Sequence, residues 1–118
     1  MVLQEIKPDY ESLFQSISLT LTVSSTTKRV NLELRYLYKT DMWYTSLYDV
    51  ETGEAYLTYV PLLASLPGEF TNLWEQYWYK RIGMLACIPA VDNPKTTNPS
   101  KDNLNEFAIV WSDGIADE

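Results

Sequence analysis

The chain has 118 residues, of which 46% are hydrophobic and 21% charged, so it belongs to the globular class rather than the disordered one. That length suits one ordinary domain with a single core. The formal net charge is −7, and the acidic residues are spread over both halves of the chain. A duplex-binding protein needs a basic stripe to neutralise phosphates, so we expect no direct nucleic-acid partner.

Two residue types restrict the chemistry. The chain contains no histidine, which removes the commonest general base, the Ser-His-Asp triad and the usual zinc and non-haem iron sites. The single cysteine, Cys87, lies in an apolar run and is expected to be a small buried residue. We therefore predict no catalytic residue, no metal ligand and no cofactor.

The first half of the chain predicts a meander of four hairpin-linked strands. Ile17, Leu19, Leu21 and Val23 alternate with serines and threonines, which is the period of a strand with one buried face. A polar, turn-forming gap follows at residues 24–28, and later turns contain glycine or aspartate. The four predicted strands lie at residues 17–23, 30–38, 42–48 and 55–59.

The next part of the chain is less regular. Alternation fails from residue 61 to residue 81, where a short helix over residues 71–79 with Thr71 as its N-cap fits the sequence. Residues 82–91 form a continuous apolar run, typical of a central strand buried on both faces. Pro89 is expected near the end of that strand, because proline cannot donate to a sheet ladder.

Residues 92–103 are polar and contain almost nothing to bury, so they predict an exposed loop, mobile unless a partner holds it. A last strand follows at residues 107–111, and residues 112–118 form an acidic tail. The fold predicted for residues 1–118 is one all-β domain, an antiparallel meander closed as a barrel or a sandwich. No signal peptide is recognisable, and no apolar stretch approaches the ~20 residues of a membrane span.

The acidic turn at residues 49–54 offers two weak chemical alternatives. Asp49, Glu51 and Glu54 could serve as a carboxylate pair for glycoside hydrolysis, although a solvated turn explains them better. The same spacing resembles part of a calcium loop but lacks the remaining oxygen ligands and the terminal glutamate. The four glycines are isolated from one another, which excludes a glycine-rich phosphate cradle.

Aromatic residues beside basic ones on irregular structure are typical of protein interfaces. We expect about half of the aromatic residues in the irregular segment to lie in the core and the others to meet a partner. Stacking on the faces of a carbohydrate is the alternative use of such rings. The candidate interface residues are Phe70, Trp74, Tyr77, Trp78, Tyr79 and Arg81.

From Ile6 to Trp111 the order of features resembles the small baseplate plug proteins of contractile-tail phages and related phage-like elements. The features that carry the resemblance are the segments 32–36, 43–44, 47–49 with Gly53, 61–62, 83–85 and 102–104. The resemblance implies a non-enzymatic component of the virion tail, made in the cytoplasm of the bacterial host. It implies contacts with hub, spike and tube-end subunits, and with copies of itself in a ring. Replacing Trp74 or Trp78 with alanine is then expected to leave folding intact and to block incorporation into particles.

Overall fold

The computed structural model describes residues 2–66 and 68–114, and within them most of the ordered structure is β-strand. Two short 3-10 turns, Glu75–Lys80 and Leu104–Glu106, lie in the connections between strands. No helical segment in this described part is long and apolar enough to cross a membrane. The seven strands of the described residues are β1 (Leu3–Ile6), β2 (Phe14–Val23), β3 (Thr26–Leu37), β4 (Met42–Asp49), β5 (Ala55–Pro61), β6 (Met84–Pro89) and β7 (Phe107–Ser112).

These strands form two antiparallel sheets. Strands β2, β3, β4 and β5 make a four-stranded meander in chain order, whereas β7 lies between β1 and β6 in a three-stranded sheet. The prediction of an all-β fold with four hairpin-linked strands is therefore confirmed. Of the two closures that the sequence left open, the fold adopts the sandwich-like one, since the two sheets do not join into a closed barrel over the described residues.

The core lies between the two sheets. On β3, Val30, Leu32 and Leu34 are fully buried while the residues between them are partly exposed, as the alternation predicts. Side chains of the second sheet, among them Leu85 and Ile109, belong to the same buried cluster. Removing this apolar surface from water is the main force that holds the sheets together.

The hairpin between β2 and β3 is tighter than predicted. The pairing of Val23 with Thr26 leaves only Ser24 and Ser25 in the turn, so the expected gap over residues 24–28 is wrong beyond Ser25. Ser24 has a positive φ of 56°, which a two-residue hairpin turn requires and which glycine adopts most easily. The polar residues that follow the turn are part of β3. Both faces of the hairpin are exposed next to its turn, so polar side chains are tolerated there.

Strand β6 is an edge strand, not the central strand that its apolar sequence predicted. The predicted burial on both faces holds for Leu85, Ala86 and Cys87, which are fully buried, but not for the end of the predicted run, because Ala90 and Val91 lie beyond β6 and are exposed. The edge is covered by the irregular segment that follows β5. Ser65 N donates to Cys87 O over 2.7 Å and Leu73 N donates to Leu85 O over 2.7 Å, so the open side of β6 is protected without a further strand.

The predicted helix over residues 71–79 is wrong in its bounds and in its cap. The 3-10 turn Glu75–Lys80 follows Trp74, and no side chain caps its beginning. The carboxamide of Asn72 accepts from the backbone nitrogens of Trp74 and Leu85, at 2.9 and 3.2 Å. Those two bonds tie the residues before the turn to β6 and keep them out of a helix.

The polar loop at residues 92–103 is exposed over most of its length, but its second half also contains buried residues. Pro99 and Asn103 are buried, and Ser100 O accepts from the indole nitrogen of Trp43 over 2.8 Å. The expectation that this loop carries almost nothing to bury is therefore wrong for its second half. The tail is likewise shorter than predicted, because Ser112 is a buried residue of β7. Residues 115–118 of the predicted tail lie outside the described residues.

Candidate partner interface

The four tryptophans divide into three that are buried and one that is exposed. Trp43, Trp74 and Trp111 are buried, and each donates its indole N–H within the chain. A buried indole needs such an acceptor, because an unpaired N–H in the core is costly. Trp78, in contrast, is 75% exposed. Of the four large apolar rings, it is therefore the one that lies mostly in solvent.

The candidate residues of the irregular segment separate in the same way. Trp74 is fully buried, so its predicted place at a partner surface is wrong, and its alanine variant is now expected to lose stability. It packs in the core because the turn that follows it lies against β5. Tyr77 is half-buried against the core cluster. Phe70, Trp78, Tyr79 and Arg81 are exposed.

The segment Glu75–Lys80 with Arg81, hereafter the exposed aromatic turn, is bound to the four-stranded sheet by hydrogen bonds. Lys28 of β3 donates its Nζ to the carbonyl oxygens of Lys80 and Arg81, over 3.1 and 3.3 Å. Lys80 in turn donates to the carbonyl oxygen of Tyr56 on β5. Arg81 closes the turn in the left-handed region, at φ 55°, and its N–H donates to Trp78 O. Two lysines thus bind the turn to the four-stranded sheet.

The chain must pass close to β7 as it leaves this turn. A Cβ placed on Gly83 would lie 2.4 Å from Ser112 O and 2.5 Å from the indole nitrogen of Trp111, and φ at this glycine is 83°. Both distances are shorter than any normal contact. Glycine is therefore required at position 83, and it fixes where the turn emerges.

The surface of the turn is aromatic and carries both signs of charge, with Glu75 exposed at its start and Arg81 exposed at its end. The ammonium group of Lys80 lies 5.3 Å from the ring centroid of Tyr77 and 5.9 Å from that of Tyr79. The rings of Trp78 and Tyr79 meet edge to face at 89°. The two rings therefore offer no shared flat platform, and an exposed tryptophan beside an exposed tyrosine is typical of an interface hot spot.

The acidic turn uses its carboxylate for its own structure. Asp49 accepts from the backbone N–H groups of Glu51 and Thr52, at 2.7 and 3.2 Å, and from the hydroxyl of Tyr56 at 2.8 Å. The hydroxyl of Tyr56, followed by the two N–H groups, lowers the pKa of Asp49. This carboxylate is occupied in holding the turn. Among the described residues no group of three or more histidine, cysteine, aspartate or glutamate side chains could hold a metal ion.

The fold also contains a second polar cluster, which the sequence does not predict. The hydroxyl of Tyr36 donates to the carboxylate of Asp41, which also accepts from Ser100 Oγ over 2.7 Å. These bonds join the β3–β4 hairpin to the loop at residues 92–103. The bond to Asp41, then burial, raises the pKa of Tyr36 to about 12. No sequence signal links residues 41 and 100, because they meet only through the fold.

The lone cysteine has the environment that the sequence predicts. Cys87 is fully buried on β6, and its burial raises the pKa of the thiol to about 12. The thiolate is the reactive form of cysteine, so this residue is held in an inert state at neutral pH. It behaves as a small apolar side chain of the core.

Comparison with known protein families gives one finding. The family model described as cyanophage baseplate Pam3 plug gp18 matches residues 3–114, which is nearly the whole chain. No curated protein matches this sequence.

Proposed function

The chain belongs to the family of the cyanophage baseplate Pam3 plug gp18, and from this membership we propose that it orders the hub and spike region at the distal end of a phage tail tube. As a member of this family, it is a structural component of a phage baseplate, located in the virion tail and in contact with other baseplate proteins. Its role would be carried by protein–protein contacts, without catalysis and without a cofactor.

The observation that carries the proposal is the exposed aromatic turn. We assign the partner contact to Phe70, Trp78, Tyr79 and Arg81, with Trp78 as its centre. A tryptophan that is 75% exposed on a rigidly held turn fits the hot spots of interfaces, which are enriched in Trp, Tyr and Arg. Pre-organisation by Lys28 favours binding, because less conformational entropy is lost on contact.

The charge of the turn indicates the partner surface. Arg81 is the exposed cation of the turn, because Lys28 and Lys80 donate to carbonyl oxygens of the turn and of β5, so the complementary surface would be an apolar pocket whose acidic rim faces Arg81. Such a rim would speed association, and added salt would weaken this electrostatic effect. The pocket would supply most of the affinity.

The experiment is co-expression of the chain with the open reading frames that neighbour its gene, followed by affinity capture and mass spectrometry. Capture of tube-end, hub or spike subunits by the wild-type chain, and its loss in Trp78→Ala, supports the proposal. Tyr10→Ala is the matched control, since Tyr10 is also exposed but lies before β2, outside the turn. Capture of no baseplate protein, or equal capture by both variants, would refute it.

A further inference from the structure

One long edge of the four-stranded sheet carries no neighbour. Strand β2 pairs with β3 over ten residues, and within residues 2–66 and 68–114 no strand lies on its other side. Such an edge exposes a row of unpaired backbone N–H and C=O groups, which is a template for another strand.

The hydrogen-bond pattern identifies the residues that form this row. Tyr36 N donates to Leu13 O over 2.9 Å, so odd-numbered residues of this segment exchange bonds with β3. Val50 N donates to Arg29 O over 3.0 Å, which agrees, because Arg29 stands opposite Thr20 and turns its backbone toward β4. The residues whose backbone groups face away from β3 are therefore Phe14, Ser16, Ser18, Thr20 and Thr22, and of these Phe14 O already accepts from Ser12 Oγ over 2.7 Å.

This edge has none of the devices that usually protect one. The ten residues of β2 include no proline and no charged residue. The other edges differ. Strand β5 is distorted by register shifts and by a positive φ at Tyr59, β6 is covered by Ser65 and Leu73, and β1 has only four residues. Thus β2 is the edge of this fold that remains open to a partner.

We propose that a second copy of the chain pairs antiparallel with β2, about a two-fold axis that passes beside Leu19. In this register Ser18 stands opposite the partner's Thr20, and Ser16 stands opposite the partner's Thr22. Each of these pairs exchanges two backbone bonds, about eight in all, because both members turn their N–H and C=O toward the interface. The two meanders then form one continuous sheet.

The sequence of β2 fits a copy of itself in this register. On the inner face, Leu19 meets the partner's Leu19, whereas Ile17 lies opposite the partner's Leu21, which is already fully buried in its own chain. Ile17 and Leu19 are only half-buried in the single chain, so the contact removes further apolar surface from water. The outer face pairs serine with threonine, and no like charges meet. A two-fold contact requires that both members of every pair fit both ways, and β2 satisfies that requirement.

Sedimentation velocity of the purified chain over a wide range of concentration tests the pairing. We expect a reversible dimer, weak because each copy contributes little more than one strand. In Thr20→Pro the dimer dissociation constant should rise at least about tenfold, since two interface bonds are lost. The N–H of Thr20 faces away from β3, so this proline breaks no bond within the chain. Thr20→Ala keeps the N–H and should dimerise like the wild type.

Two paired substitutions test the register. Combining Ser18→Lys with Thr20→Lys sets like charges opposite each other and should give a monomer, whereas Ser18→Glu with Thr20→Lys sets opposite charges there and should retain the dimer. Circular dichroism and urea unfolding check that each variant folds. A monomer at every concentration, or a dimer insensitive to the proline and to both charge pairs, would overturn the proposal. A trimer or hexamer would do so too, because two-fold pairing closes at two copies.

Discussion

Trp74 and Trp78 lie close together in the sequence but differ completely in burial, so replacing each of them gives the sharpest test of the structure. Trp74→Ala removes a fully buried ring and its 3.4 Å bond to Thr45 Oγ1. Core replacements of this kind cost about 3–5 kcal/mol. Native domains are stable by about 5–15 kcal/mol, so this variant should lose a large part of its stability.

Trp78→Ala should behave in the opposite way. The exposed ring contacts Tyr79 edge to face, and surface changes of this kind alter stability by no more than about 0.5 kcal/mol. If the ring is the centre of the partner contact, its loss should weaken binding by about 2 kcal/mol or more, which is roughly thirtyfold in dissociation constant. Stability and binding are thus expected to separate between the two variants.

Urea unfolding followed by far-ultraviolet circular dichroism measures the stability of each variant, and titration against the captured partner measures its affinity. Tryptophan emission supplies an independent check, because Trp78→Phe removes the exposed indole and leaves three buried ones. The emission maximum should move to shorter wavelength and acrylamide quenching should fall. Equal loss of stability in the two alanine variants, or unchanged quenching in Trp78→Phe, would refute the reasoning.

Four further substitutions test the turns. Ser24→Gly relieves a positive φ and should stabilise the chain by about 1 kcal/mol in urea unfolding. Gly83→Ala should destabilise it by more than about 2 kcal/mol, whereas Gly53→Ala, where an added Cβ meets nothing within 4 Å, should cost only the backbone strain of about 1 kcal/mol. The lowered pKa of Asp49 stabilises the fold above the ordinary carboxyl value of 3.8, and this contribution is lost as the pH falls below it. Tyr56→Phe removes the first cause of that shift, so the carboxyl titration of Asp49, followed by NMR, should move upward.

The meander could be predicted because its signal is local. In β2 and β3 the apolar residues recur every second position, and the pattern alone fixes which face each side chain takes. The place of β6 in its sheet could not be predicted in this way. An apolar run reports that both faces are covered, and here one covering element is an irregular segment that includes Ser65 and Leu73.

The sequence singled out an aromatic segment but could not tell which of its aromatic side chains are exposed. Trp74 and Trp78 have the same side chain and similar neighbours, and only the path of the chain across β5 decides which one enters the core. The prediction for the loop at residues 92–103 was wrong in part for a related reason. Its polar residues satisfy the backbone of the chain itself, as when Asn98 Oδ1 accepts from Ala64 N over 2.8 Å, and no composition rule foresees that use.

The aromatic turn and the edge of β2 are built on different physics. The turn offers large rings fixed by two lysines, so its contact would depend on side chains and a shaped pocket. The edge offers backbone groups, so its contact would depend on an extended partner and tolerate many side chains. Because Trp78→Ala removes no backbone donor and Thr20→Pro removes no exposed ring, each variant should weaken one contact and spare the other. A component that joins unlike subunits while meeting its own copies needs two surfaces of this separable kind.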